Sequence, residues 1–143
     1  MKKLLFLAMS ILLAQGVFAD DDRIIDATTI PVAAKEFISQ NFGPDVIQLA
    51  KEERGIQKDI NVYLRNGDRI EFDKKGIWKE VKCTNGVPKN IIPLDIQNSV
   101  KEQFKTAKII GIEKVDKNRT EVKLDNGLEL TFNKNGDLIE IDD

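Results

Sequence analysis

Histidine is absent from this sequence of 143 residues, and cysteine occurs once, as Cys83. Without histidine, the chain lacks the residue that most often serves as general base, proton shuttle and metal ligand. A single cysteine can form neither an internal disulfide bond nor a thiolate cage for a metal ion. We therefore expect no metal centre and no cofactor.

Other machinery for catalysis or ligand binding is also missing. The nine glycines are scattered and form no phosphate-binding loop. Beyond residue 19, serine occurs only as Ser39 and Ser99, which fall in predicted helices with no activating base beside them. The run Asn133 to Asp137 alternates polar residues as calcium loops do, but it lacks the closing glutamate, and a hairpin turn explains it better. We predict that the protein is not an enzyme.

Charge and aromatic content exclude a further class of function. The formal net charge is -2, and aromatic residues make up 6% of the chain. A protein that binds nucleic acid on a sheet needs a basic face with several aromatic side chains. We therefore expect no binding to nucleic acid. Hydrophobic residues, at 41%, are frequent enough for a folded core.

The first residues have the organisation of a secretory signal peptide. Lys2 and Lys3 precede the apolar run Leu4 to Ala14, and in Val17-Phe18-Ala19 the residues at the -3 and -1 positions of a cleavage point, Val17 and Ala19, are of small to modest size. A membrane-spanning helix needs roughly 20 apolar residues, more than this run contains. We predict cleavage after Ala19, no membrane anchor, and a mature protein that is periplasmic or secreted.

A repeat of sixty residues is visible in the rest of the chain. The segment Val62 to Val81 aligns with Val122 to Ile141 at an offset of 60, and Ile30-Pro31 matches Ile92-Pro93 at an offset of 62. Self-similarity at such a period indicates a duplicated unit. We expect a signal peptide at residues 1–19, a first repeat at residues 20–90 and a second at residues 91–143.

Each repeat is predicted to begin with a helix. Pro31 and Pro93 mark the helix starts, where the missing N–H of proline costs nothing. Apolar residues then recur at every fourth position: Ala34, Ile38 and Phe42 in the first repeat, and Ile96, Val100 and Phe104 in the second. A single apolar stripe of this kind predicts a helix that lies on a sheet.

Three or four antiparallel strands are predicted to follow each helix. In the clearest pair the apolar residues all have even numbers, as in Val62, Leu64, Ile70 and Phe72. Both strands can direct them to one core only if the loop between them has an odd number of residues, so we predict a three-residue loop with a left-handed Gly67. The same backbone conformation is expected at the turn glycines Gly76, Gly127 and Gly136.

The next turn leaves two registers open. A four-residue loop directs Ile77 toward the core and Trp78 toward the opposite face, whereas a three-residue loop reverses this. We favour the four-residue loop because it also points Ile139 and Ile141 inward. In that register the candidate partner-binding residues Tyr63, Arg65, Arg69 and Trp78 share the uncovered face of the sheet, and such residues are frequent interface anchors.

The predicted fold class is α+β, with two tandem repeats. Each repeat is a helix packed on a sheet of three or four antiparallel strands, and the two sheets can join into one curved surface.

The Ile-Pro helix start, the Asn-Gly hairpin and the run Phe72-Asp-x-x-Gly-x-Trp-x-Glu-Val81 resemble the PepSY-like family of small secreted bacterial proteins, also described as β-lactamase-inhibitor-like. The second repeat departs from this pattern, with Leu138 in place of Trp78 and Asn133 in place of Asp73. The resemblance implies a tandem α+β fold with a sheet surface that grips an enzyme, as in the β-lactamase inhibitor protein. It implies no catalytic or ligand-binding residues.

We therefore expect a secreted, non-catalytic protein-binding module that inhibits or regulates an extracytoplasmic hydrolase. The alternative is a structural or self-associating envelope protein without an enzyme target. In either case the expected partner is a protein.

Overall fold

The computed structural model describes residues 22–143, and the predicted signal peptide lies outside them. The strands are β1 (Arg23–Ile25), β2 (Ile47–Glu52), β3 (Ile60–Leu64), β4 (Arg69–Phe72), β5 (Trp78–Lys82), β6 (Ile109–Lys114), β7 (Arg119–Leu124), β8 (Glu129–Asn133) and β9 (Leu138–Asp142). Helix α1 (Val32–Phe42) lies between β1 and β2, and helix α2 (Leu94–Gln103) lies between β5 and β6. Short 3₁₀ turns at Ala27–Thr29 and Lys89–Ile91 precede the two helices.

The nine strands form one antiparallel sheet in which each strand pairs with its neighbours in sequence. The expectation of two tandem units, each with a helix on its own sheet, is therefore wrong. β5 pairs with β6, placing Val81 opposite Ile112 and Lys82 opposite Gly111. This pairing satisfies two strand edges that separate sheets would leave open to other chains. β1, which no sequence pattern predicted, adds a further strand beside β2.

Both helices begin directly after a proline, as the sequence predicts. Pro31 and Pro93 occupy the positions before the first helical residues of α1 and α2. The apolar stripes of both helices, Ala34 and Ile38 with Ile96 and Val100, are at most 4% exposed. All four side chains belong to one continuous core together with the buried side chains of the sheet. The two helices therefore cover the same face of the sheet.

The strands divide their side chains between the two faces of the sheet. Val62, Ile70, Val122 and Leu130 face the helices and are completely buried. The alternate residues face the other way, and within residues 22–143 neither helix packs on that side. We call this side the open face. Its central residues are Asn61, Tyr63, Arg69, Glu71, Glu80, Lys82, Gly111, Glu113, Glu121, Lys123, Glu129 and Thr131.

The first hairpin turn has the predicted three-residue loop. The Leu64 N–H donates to the Asp68 carbonyl oxygen at 2.8 Å, and Tyr63 lies opposite Arg69. Gly67 has a φ of 93°, which glycine adopts without steric cost. The loop therefore keeps the apolar residues of β3 and β4 on one face.

The second turn differs from the favoured register. The Asp73 N–H donates to the Ile77 carbonyl oxygen at 2.8 Å, which leaves a loop of three residues rather than four. The Asp73 carboxylate stabilises this loop by accepting the N–H groups of Lys75 at 2.8 Å and Ile77 at 3.0 Å. As a result Phe72 lies opposite Trp78, which faces the helices, and Ile77 is 51% exposed.

A register shift in β4 and β5 limits the effect of that shorter loop. Because Glu71 pairs with Glu80 while Phe72 pairs with Trp78, Lys79 is an extra residue in β5. Val81 consequently remains on the core side and is completely buried.

The same shift occurs between Thr131 and Phe132, where Phe132 lies opposite Leu138. The expectation that Ile139 points inward is therefore wrong, and Ile139 is 53% exposed. Ile141 pairs with Leu130 but is also 53% exposed, since β9 is an edge strand of the described sheet.

Candidate partner-binding face

Two rows of polar residues cross the open face from strand to strand. Glu71, Glu80, Glu113 and Glu121 lie directly opposite one another on β4 to β7, and we call them the glutamate row. The adjacent row consists of Arg69, Lys82, Gly111, Lys123 and Glu129 on β4 to β8. Directly opposed side chains are close enough to interact, so like charges in the glutamate row repel unless cations lie beside them.

The first half of the glutamate row is neutralised from within the chain. The Arg69 guanidinium forms a hydrogen-bonded ion pair with Glu80 and lies 3.7 Å from the Glu71 carboxylate. Lys79 also lies 3.7 Å from Glu71, and it forms a hydrogen-bonded ion pair with the buried carboxylate of Asp59. The hydrogen bond to Asp59 raises the pKa of Lys79. The charges of this half are therefore paired with one another.

The second half of the row is not neutralised in this way. Glu113 lies opposite Glu121, and Glu129 occupies the adjacent row on β8. Within the described part of the chain, no lysine or arginine nitrogen lies within 4.0 Å of these three carboxylates. Burial raises the pKa of Glu121, and the nearby Glu129 and Glu113 raise it further. This half of the open face therefore carries unpaired negative charge.

An open-sided pocket of about 410 Å³ lies at the centre of the open face. Gly111 lines it and, having no side chain, leaves a depression between Lys82 on one side and Lys123 on the other. The carboxylates around it are those of Glu80, Glu113, Glu121 and Glu129. Nowhere in residues 22–143 do three acidic or cysteine side chains come together so that they could hold a metal ion.

Three of the four predicted partner-binding residues lie on or beside the open face. Tyr63 is opposite Arg69, and the Lys51 ammonium lies 5.6 Å from the centre of its ring. Arg65 follows the end of β3, where its Nε donates to the Asp45 carbonyl oxygen at 3.2 Å. Arg69 is engaged with the first two glutamates of the row. Whether these residues bind a partner remains a prediction.

Trp78 lies on the helix-covered face instead. The centre of its ring is 6.2 Å from that of Phe37 in α1, and the Lys114 ammonium lies 4.0 Å from the ring centre. The structure therefore does not bring Trp78 together with the other three candidates.

Two residues of β6, Gly111 and Glu113, were not among the sequence candidates. They reach the centre of the open face only because β6 pairs with β5. The 62-residue offset places Gly111 where the first repeat has Leu49, and a glycine inside a strand often marks a bend or a close approach. This difference between the repeats was the signal that could have located the pocket.

Cys83 also lines the pocket but is 2% exposed. Burial, followed by the charge of Asp68, raises the pKa of its thiol to about 12. The thiol is therefore protonated at neutral pH and is a poor nucleophile.

Comparisons with known proteins agree with the architecture. Residues 58–140 match the model of the family described as "Putative beta-lactamase-inhibitor-like, PepSY-like". No curated protein matches the chain. Among residues 22–143, no helix is long and apolar enough to cross a membrane.

Several solved structures resemble this chain over most of its length. A "putative calcium-regulated periplasmic protein" from Bacteroides thetaiotaomicron is 43% identical, with a TM-score of 0.80, covering 86% of this chain and 98% of its own. A "putative periplasmic protein" of the DUF2874 family from Bacteroides vulgatus is 40% identical, with a TM-score of 0.79, covering 87% of this chain and 99% of its own. A second periplasmic protein from Bacteroides vulgatus, of unknown function, is 32% identical, with a TM-score of 0.79 and coverage of 85% and 99%.

None of these comparisons points to a catalytic activity, and the solved relatives are described as periplasmic. The family match extends over more than half of the sequence, and the first relative matches nearly all of the described residues. The chain therefore belongs to the PepSY-like, β-lactamase-inhibitor-like family.

Proposed function

We propose that this protein is a secreted, non-catalytic module that binds a protein through the open face of its sheet and thereby inhibits or regulates an extracytoplasmic hydrolase. The observation that carries this proposal is the asymmetry of the sheet. Its two helices share one face, and the other presents rows of half-buried polar side chains around a central pocket. An antiparallel sheet can leave one face to solvent, and a broad surface of this kind suits a protein partner.

The composition of the open face supports binding rather than catalysis. Histidine is absent from the sequence, and the Cys83 thiol beside the pocket has a pKa of about 12. Glutamates and lysines make up half of the residues that line the pocket. The family description and the periplasmic relatives support the proposed class and compartment.

The proposed compartment includes cleavage after Ala19. N-terminal sequencing of the protein recovered from the periplasmic or extracellular fraction should give a first residue of Asp20. Recovery of the chain with Met1 intact from the cytosol would contradict export.

A capture experiment tests the binding function. The mature protein, tagged at its C-terminus, is incubated with an envelope extract of the source organism, and any captured hydrolase is assayed with and without the protein. We expect stoichiometric capture and reduced hydrolase activity. Because one relative is described as calcium-regulated, the capture is repeated with added calcium and with a chelator.

Matched variants identify the face that is used. Thr131→Arg places a long side chain on the open face between Glu121 and Glu140, and it should abolish inhibition. Lys35→Glu changes an exposed residue of α1 on the other side of the sheet, and it should leave inhibition unchanged. Equal effects of both variants would contradict the proposal, and self-association alone would favour a structural role.

A further inference from the structure

We infer that the docking surface is the half of the open face formed by β6, β7 and β8, and that its occupant is a basic protein surface with a lysine or arginine side chain in the pocket above Gly111. This inference rests on the proposed function, because it names the chemistry of the partner that the open face would bind. The argument combines the unpaired charge of this half, the changes between the two repeats, and the shape at Gly111.

The charges of this half are unfavourable for the isolated protein. Glu113 and Glu121 are half-buried and directly opposed, an arrangement that destabilises a sheet. The neighbouring Glu129 adds a third carboxylate to the same region. Residues that lower the stability of a fold without a local compensation are often found at functional sites. A cationic partner would supply the missing compensation.

The chain neutralises the equivalent half of its sheet with its own residues. At the 60-residue offset, Arg69 corresponds to Glu129, Asn61 to Glu121 and Lys79 to Ile139. In the first half, the charge of Arg69 is already compensated within the chain. Its guanidinium forms an ion pair with Glu80 and donates a hydrogen bond to the Asn61 side-chain oxygen. The second half has lost both cations of this network and gained the carboxylates of Glu121 and Glu129. Two opposing replacements, Tyr63 by Lys123 and Glu71 by Thr131, offset part of this change, and the net change over these positions is still toward negative charge. The difference in charge therefore comes from specific replacements at equivalent positions.

The pocket has the form and the charge to hold a cationic side chain. Gly111 provides the depression, and three carboxylates without a described ion pair stand around it. Of the two lysines that line the pocket, Lys82 lies 3.9 Å from Glu80. Lys123 lies directly opposite Glu129, although no ion pair within 4.0 Å joins them in residues 22–143. Three carboxylates without an ion pair therefore face one such lysine. The balance of unpaired charge in the pocket is negative.

Other occupants fit this surface less well. The carboxylates disfavour an anion or a nucleic acid, and the charged walls disfavour an apolar ligand. The described acidic side chains do not converge in a group that could hold a metal ion. A second copy of the chain would bring the same negative charge to the interface if it docked through this face. A basic partner is the occupant whose charge complements the surface.

The test uses a defined cationic probe on the mature protein. The acetylated and amidated peptide Ala-Lys repeated four times is titrated into isotope-labelled protein, and amide chemical shifts are followed by NMR. We expect saturable shifts at Gly111, Glu113, Glu121 and Glu129 that weaken as salt is added. The matched peptide with glutamate in place of lysine should cause none. Calcium ions alone are titrated as a separate arm.

Two variants separate this surface from the rest of the glutamate row. The double variant Glu113→Gln with Glu121→Gln should bind the cationic peptide about tenfold more weakly than the wild type. The melting temperature of this variant should be equal to or above that of the wild type. Glu71→Gln removes a carboxylate of the same row in the neutralised half, and it should leave the affinity unchanged. Equal loss in both variants, shifts confined to another surface, or the same shifts with calcium alone would overturn the inference.

The capture experiment distinguishes this inference from the function on which it rests. If a hydrolase is captured and inhibited equally by wild type and the double variant, the basic docking surface is wrong and the binding function stands. If the cationic peptide maps to the pocket but no hydrolase is inhibited, the proposed function is wrong and the cation-binding surface stands.

Discussion

Phe72 lies directly opposite Trp78, although Glu71, one residue earlier, lies opposite Glu80. Because Lys79 is the extra residue at this step, Trp78 turns toward the helices while Lys79 and Glu80 both reach the open face. A single register shift thus adds an aromatic ring to the core and places a lysine beside the buried carboxylate of Asp59.

The position of Trp78 predicts that it contributes to stability. Trp78→Ala removes the packing on Phe37 and on the core, and we expect a loss of about 2 kcal/mol or more in the free energy of unfolding. Ile77→Ala, at the exposed neighbour, should cost less than about 0.5 kcal/mol. Urea unfolding of both variants measures the difference. A Trp78→Ala variant with the wild-type urea midpoint would contradict the assignment of this ring to the core.

Two turn glycines of similar backbone conformation should respond differently to alanine. Gly67 and Gly76 have φ values of 93° and 89°, so alanine is strained at both by roughly 1 kcal/mol. A Cβ on Gly76 would also lie 2.8 Å from the Pro31 Cβ and 2.9 Å from the Ala34 backbone nitrogen, whereas nothing lies within 4 Å of one on Gly67. Gly76→Ala should therefore lower the melting temperature more than Gly67→Ala. Equal decreases would show that this turn does not pack tightly on α1.

The glutamate row predicts that the free energy of unfolding depends on pH. Because the pKa of Glu121 in the folded protein lies above its ordinary value of 4.5, the folded state keeps a proton that the unfolded state has already released. The free energy of unfolding therefore decreases as the pH rises above 4.5, until it passes the pKa of the folded state.

Glu121→Gln removes this dependence on pH and should stabilise the protein by about 0.5 kcal/mol near pH 7, with little difference near pH 4. Glu80→Gln is the matched control, since it takes a partner from Arg69 and should destabilise near neutral pH. Thermal melts at both pH values test the pair. A Glu121→Gln variant less stable than the wild type at pH 7 would show that the carboxylate has a stabilising partner.

The buried thiol of Cys83 should be inert in the folded protein. Its pKa of about 12 and its 2% exposure leave little accessible thiolate at neutral pH. Labelling with a disulfide reagent should reach one thiol per chain in denaturant and proceed very slowly without it. Rapid labelling of the native protein would mean that the segment around Cys83 opens easily.

Local features of this protein follow from the sequence by itself. The prolines at positions 31 and 93 and the four-residue spacing of apolar residues predict both helices, and the sequence predicts three or four strands after each helix, where the structure has four. Loop parity predicts the three-residue turn at Gly67. These features depend on residues close together in the chain, where backbone sterics and side-chain periodicity act directly.

The features that depend on pairing between strands far apart in the sequence were decided only by the tertiary structure. The pairing of β5 with β6 changes two predicted units into one sheet. It also brings Gly111 and Glu113, which follow Glu80 by more than 30 residues in the sequence, to the centre of that sheet. The register shift at Lys79 sends Trp78 to the core and not to the open face. The charge of the glutamate row also depends on which strands are neighbours, because like charges become a cost only when pairing places them directly opposite each other.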